Sequence, residues 1–126
     1  MSIQVNNAIY TLLTSNTGFT AVVSTRVYPI IAPNDTPMPF VVINRDFTPQ
    51  YTRDGACINE SNIEITILST NYDQSVQIAL LIDGILNSYQ GIVCNIHIVD
   101  CRLINSTEEY SNDAFIQKLI YTTKNY

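Results

Sequence analysis

The chain is short of charge. Only 13% of its 126 residues are Asp, Glu, Lys or Arg, about half the usual globular share. With 46% hydrophobic residues it is no disordered segment, and it has fewer charges than a lone subunit ordinarily uses to cover its surface. That shortage points to surface covered by partners. Basic residues are scarcest: Arg26, Arg45, Arg53, Arg102, Lys118 and Lys124 stand singly along the sequence. No stripe of them could track a phosphate backbone, which argues against tight nucleic-acid binding. Long apolar runs are missing too, and none approaches the roughly 20 residues of a membrane-spanning helix. The opening MSIQVNN has neither a basic start nor an apolar stretch, so no signal peptide is expected.

Catalytic constellations are equally sparse. The four glycines stand apart at 18, 55, 84 and 91, which leaves no phosphate-cradling loop. Three cysteines, Cys57, Cys94 and Cys101, make an odd number, and without a secretion signal they read as reduced thiols inside a cell. On one strand Cys94 and Cys101 would lie roughly 23 Å apart, far beyond the about 7 Å that a disulfide tolerates between Cα atoms. A nucleophilic thiol needs a base within hydrogen-bond reach. The single histidine, His97, is three residues from Cys94, so on a regular strand the two point to opposite faces. Cys101 is about 13 Å along from His97, and Cys57 could approach only by tertiary pairing. The expectation is therefore a surface histidine and small buried thiols. Glu108, Glu109 and Asp113 fall in a polar stretch without the spacing of a calcium loop. No catalytic residue, cofactor or metal site is expected.

What is present reads as one α+β domain over residues 1–126. Val5, Ala8, Ile9, Leu12 and Leu13 repeat at helical spacing over 3–14, with Ser2 as a cap. A short helix follows at 19–23, capped by Asn16 or Thr17. Residues 27–31 form a short strand in which Pro29 implies an edge. Phe40 to about Gln50 is a strand, apolar on both faces over Phe40–Ile43 and hence expected to be covered on both sides. Asn62–Ile67 alternates cleanly within a strand over 57–70. Asp73 is expected to cap a long helix to about Tyr89, whose apolar stripe is wide enough to be buried on more than one side. Within it, Gly84 costs about 1 kcal/mol relative to alanine, which close backbone packing could offset, and Gly91 is a candidate left-handed cap. Residues 93–104 form a strand whose apolar phase switches, as a bulge near Ile98–Val99 would cause. A polar hairpin tip at 105–112 and a last strand at 114–123 complete a largely antiparallel or mixed sheet of about four to five strands. The N-terminal helix and the long helix pack on it.

The stretch from Val27 to Arg45 holds four of the five prolines. Pro33, Pro37 and Pro39 fix their own φ angles and push their predecessors toward extended conformations. A loop so restricted loses less entropy when it docks, which suits a contact surface. Arg26-Val27-Tyr28-Pro29, Ala32-Pro33, Pro37-Met38-Pro39-Phe40-Val41, Tyr51-Thr52 and Asp54-Gly55 come in an order and spacing that resembles the tail completion (tail terminator) proteins of long-tailed bacteriophages and prophages. The alternating strand, the long apolar helix and the closing hairpin look alike as well, so the resemblance runs from about Ile9 to Tyr121. The chain departs from the family pattern in being rich in Ile and Asn, and after Gly55 it goes its own way.

The resemblance implies a non-enzymatic virion protein. Such proteins form a ring, usually of six copies, on the head-proximal end of the tail tube. The ring stops tube polymerisation and offers a docking face to the head connector, while DNA passes through without specific binding. The partners implied are sister copies, the tail tube protein and the connector, with no membrane, and assembly takes place in the bacterial host cytoplasm. Pro33, Pro37, Pro39, Phe40, Tyr51, Arg53 and Asp54 are the candidate assembly residues, aromatic and arginine types being enriched at binding hot spots. A net charge of −5 fits a hole that lets DNA slide. Other head–tail joining or tube-associated phage proteins are the alternative within this class. A small intracellular ligand-binding or hydrolytic domain is the alternative outside it.

Overall fold

A computed structural model of the chain describes residues 5–23, 26–29, 37–51, 57–93, 96–111 and 113–125. Two helices come first. α1 spans Val5–Thr14 and buries Ala8, Ile9 and Leu13. α2 spans Thr17–Val23 and buries Phe19 and Val23. Asn16 is its cap: the side chain accepts the Phe19 N–H at 2.9 Å, which satisfies one of the free donors of the first turn. The proposed Ser2 cap lies outside the described residues.

The strands are β1 (Val27–Pro29), β2 (Phe40–Tyr51), β3 (Cys57–Ser69), β4 (Gly91–Val93), β5 (Ile96–Ser111) and β6 (Ala114–Asn125), with α3 (Tyr72–Leu86) between β3 and β4. They form one six-stranded sheet in the order β1-β2-β3-β6-β5-β4. The sheet is mixed, because β1 runs parallel to β2 while the pairings β2–β3, β3–β6, β5–β6 and β4–β5 are antiparallel. The sheet curls: α1 touches β2 near one margin and β4 at the other.

Six strands replace the four to five expected. The extra one is β4, which pairs Gly91–Val93 back onto Ile96–Ile98. Ile92, Val93, Cys94, Ile96 and Ile98 read as parts of one strand, which hides that reversal in the sequence. The anticipated phase switch is there, as a register shift between Ile98 and Asp100, and a second follows between Leu103 and Asn105. Residues 105–111 are strand and not hairpin tip. The chain turns at Asp113, which takes φ 61°, just before β6.

Asn71, not Asp73, caps α3. Its side chain accepts the N–H groups of Asp73 at 2.8 Å and Gln74 at 3.4 Å. Asp73 sits in the first turn, where its charge complements the helix dipole. The helix buries Ile78, Ile82 and Leu86 and packs on β3 and β6 on one side and on α1 and α2 on another. Leu80, one of the apolar residues that make the stripe of this helix wide, is 68% exposed. Nothing lies within 4 Å of where a Cβ on Gly84 would stand, so no close backbone contact explains that glycine. The left-handed residue after the helix is Ser88, φ 66°, not Gly91, which begins β4. With φ 158°, Gly91 leaves room for the Tyr89 hydroxyl, 2.9 Å from where its Cβ would be.

The core lies between the concave sheet and the helices. Val41, Ile43, Ile63, Ile65, Ile67, Leu119, Tyr121, Ile96 and Ile98 face the helices and are buried. Among the described residues, helices pack on β2 from that side only. Phe40 and Val42 point the other way and stay half-buried, which corrects the expectation of cover on both sides.

Candidate functional site

Helices α1 and α3 pack on one face of the sheet, with α2 against both, and among the described residues no helix covers the other face, the open face. In register, Phe40 stands beside Leu68 and Leu68 beside Ile116; one row along, Tyr28 flanks Val42, followed by Thr66 and Lys118. Period-two alternation places these side chains opposite the buried set. Phe40, Val42, Leu68 and Ile116 are half-buried. The Tyr28 and Phe40 rings meet edge to face at 6.4 Å and 68°, an arrangement the ring quadrupoles favour. A polar open face would carry Thr, Lys and Glu at these positions. Here Tyr28, Phe40, Val42, Leu68 and Ile116 put a contiguous apolar patch at its β1–β2 corner.

The same corner anchors the end of the proline stretch. Arg26 Nε donates to the Pro39 carbonyl at 2.8 Å, and the Val41 N–H donates to the Arg26 carbonyl at 2.9 Å. Arg26 thus fixes how the chain enters β2. Of the sequence-derived assembly residues, Pro39 is buried, Phe40 half-buried and Pro37 exposed, and these three lie together at the edge of the open face. Tyr51 closes β2 opposite Cys57, at the far end of the β2–β3 pair. Pro33, Arg53 and Asp54 lie outside the described residues. Tyr28, Val42, Leu68 and Ile116 were not among the expected assembly residues. Their signal was the second apolar phase of β3 and β6, visible only once the strands are aligned.

A second cluster lies where the start of α3 meets the β5–β6 hairpin. The Tyr72 hydroxyl donates to Glu108 at 3.0 Å to Oε2 and 3.3 Å to Oε1. Gln117, only 6% exposed, donates its Nε2 to Glu108 Oε2 at 3.0 Å and to Ser75 Oγ at 3.4 Å. The Phe115 ring packs on Tyr72 at 5.8 Å, near perpendicular, and on Tyr110 at 4.9 Å. Tyr72, Glu108, Glu109, Phe115 and Gln117 line a cavity of about 270 Å³. The hydrogen bond to Glu108, and that carboxylate's charge, raise the Tyr72 phenol above its ordinary value, so it remains a donor.

Of the three thiols, that of Cys101 is described. Cys101 is buried, and desolvation followed by the charge of Asp100 pushes its thiol up to about 12, which keeps it protonated at neutral pH. Cys94 and the side chains of Cys57 and His97 lie outside the described residues. Among the described residues no group of three metal-ligating side chains comes together, and no helix is long and apolar enough to cross a membrane.

Residues 7–120 match the model of a family described as tail completion protein gp17. Among curated proteins no sequence matches the chain. A chain of a solved structure described as the virion of a native gene transfer agent particle superposes with a TM-score of 0.84 at 13% identity, covering 96% of this chain and 93% of that one. A second solved chain, without a functional description, gives a TM-score of 0.63 at 12% identity and covers 100% and 96% respectively. At these identities the likeness speaks for a common fold.

Proposed function

The chain belongs to the tail completion protein gp17 family, and from that premise we propose that it caps the head-proximal end of a tail tube as a ring, stops tube polymerisation and joins the tail to the head connector. The coarser part follows from membership: this is a structural protein of a phage tail and a virion component. The observation that carries the finer reading is the uncovered sheet face, with Tyr28, Phe40, Val42, Leu68 and Ile116 in contact rows and an anchored, proline-bounded entry beside it. These side chains are half-buried, and a contiguous apolar patch that keeps part of its surface in water suits an interaction site.

A closed ring needs a heterologous contact, in which one patch of each subunit meets a different patch of the next. The open face and the opposite, helix-bearing side supply two unlike surfaces. Six copies at −5 each would carry −30; acidic groups toward the hole would let DNA slide past without holding it. The fold likeness to a chain of a gene transfer agent virion supports a place in a particle of that general kind.

The reading is tested by assembling particles with and without this chain and measuring tails by electron microscopy. Without it, tubes of irregular and excessive length that lack heads are expected; with it, uniform tails joined to heads. Uniform, head-joined tails in its absence would refute termination. Native mass spectrometry of the chain bound to tubes gives the copy number.

A further inference from the structure

The sheet margins are not alike. β1 is three residues long and contains Pro29, which has no N–H to donate, and β4 is also only three residues. Short strands and prolines are how sheet edges are kept from pairing with other chains. β5 is different. β4 covers only Ile96–Ile98. The next groups are occupied by the loop after α3: the Ser88 N–H donates to the Cys101 carbonyl at 2.6 Å, and the Leu103 N–H donates to Asn87 Oδ1 at 3.3 Å. From Ile104 to Ser111 no strand pairs on that side among the described residues, and every one of these residues is exposed. That is an edge roughly 23 Å long without a strand partner, on which the Ser106 N–H donates to Asn105 Oδ1 at 2.9 Å.

Beside this edge sits the Tyr72–Glu108–Phe115 cavity. Glu108 is held by two neutral donors, Tyr72 and Gln117, and among the described residues no cation lies within ion-pair distance of it. The nearby cations are engaged elsewhere: Lys118 with Glu109 at 3.9 Å and Arg102 with Asp100 at 2.8 Å. A fixed carboxylate next to aromatic rings, in a cavity of about 270 Å³, is complementary to a guanidinium or ammonium group.

We infer that the β5–β6 arm is a docking site for an extended basic segment of a partner protein, which adds as a strand to the edge Ile104–Ser111 and seats an arginine or lysine side chain beside Glu108. Main-chain bonds along the edge give affinity, and the cavity gives the choice of side chain. Glu108 and Glu109 repel a second copy of the same acidic edge while admitting a basic strand. The inference rests on the proposed function only in that the chain works by docking to other proteins.

The test uses the full chain, isotopically labelled, titrated with acetyl-Thr-Val-Arg-Val-Thr-amide and with the same peptide carrying citrulline for arginine. With the arginine peptide at millimolar concentration, the amides of Ile104–Ser111 shift and exchange more slowly. Binding falls about tenfold with citrulline, or with Glu108→Gln, the loss of one charge-assisted contact. If the chain alone self-associates and Glu108→Gln abolishes it, the basic segment belongs to a second copy, which upholds the site. No shift over 104–111, or equal affinity for the two peptides, overturns it. The citrulline comparison uses the unmutated chain, so misfolding cannot mimic the result. Peptide binding together with uniform, head-joined tails in particles lacking the chain would keep this site and remove the terminator reading; no peptide binding together with overlong, headless tails in its absence would do the reverse.

Discussion

The buried hydroxyl of Tyr121 on β6 donates to Asp83 Oδ1 on α3 at 3.0 Å. Tyr121 has no exposed surface and Asp83 is half-buried, so this bond ties the helix to the sheet from within the core. Tyr121→Phe is expected to lower stability by about 1–2 kcal/mol, and Asp83→Ala by a similar amount because the phenol is left without an acceptor. Urea unfolding of both single variants and the double checks this. The double should cost less than the sum, since both changes remove one shared bond.

The same neighbourhood sets an alkaline limit. The Cys101 thiol rises from 9.0 to about 12, chiefly by burial and then by Asp100. The Tyr121 phenol also rises from 10.0, by burial and then by the hydrogen bond to Asp83. In the unfolded chain both ionise at their ordinary values. The folded chain therefore holds more protons above pH 9, and stability present below that pH is lost as pH rises from 9 toward 12. The slope is up to about 1.4 kcal/mol per pH unit for each group. Cys101→Ala should flatten the onset between pH 9 and 10, measured by urea midpoints across that range. An unchanged onset would show that burial of Cys101 does not control it.

Gly84 offers the opposite sign. Its surroundings are open, with nothing within 4 Å of a built Cβ, and no positive φ is found there. Gly84→Ala should stabilise the chain by about 0.5–1 kcal/mol through helix propensity and a less flexible unfolded state. A destabilised variant in urea unfolding would mean that the helix uses the missing side chain for a contact in solution.

Much of the architecture could be read from residue patterns because it depends on local periodicity. Ala8, Ile9 and Leu13 mark α1, and Asn62–Ile67 marks β3 with its wet and dry faces. The swap from Ile96 and Ile98 to Cys101 marks the first bulge. What escaped was non-local. The direction of β1 depends on where the proline stretch returns the chain, and periodicity carries no such information. The reversal after Val93 has no glycine or proline to announce it. Residues 105–111 read as a loop because a strand exposed on both faces has no apolar alternation.

The candidate site was legible only in part. Pro37, Pro39 and Phe40, named as assembly residues for their restricted backbone and aromatic content, lie at the β1–β2 corner. Leu68 and Ile116 join Phe40 through strand register, which one segment at a time cannot reveal. Glu108 read as a solvated hairpin carboxylate until Gln117 and Tyr72 were found holding it.

The central claim is that the open sheet face works as an assembly surface, and the most direct measurement is electron microscopy of particles carrying Phe40→Lys with Leu68→Lys. Both side chains are half-buried and point away from the core, so the isolated double variant should still unfold cooperatively in urea. The prediction is tails that are overlong or fail to join heads, made alongside a folded but unincorporated chain. Tails of normal length joined to heads, with the folded variant in place, would contradict the account.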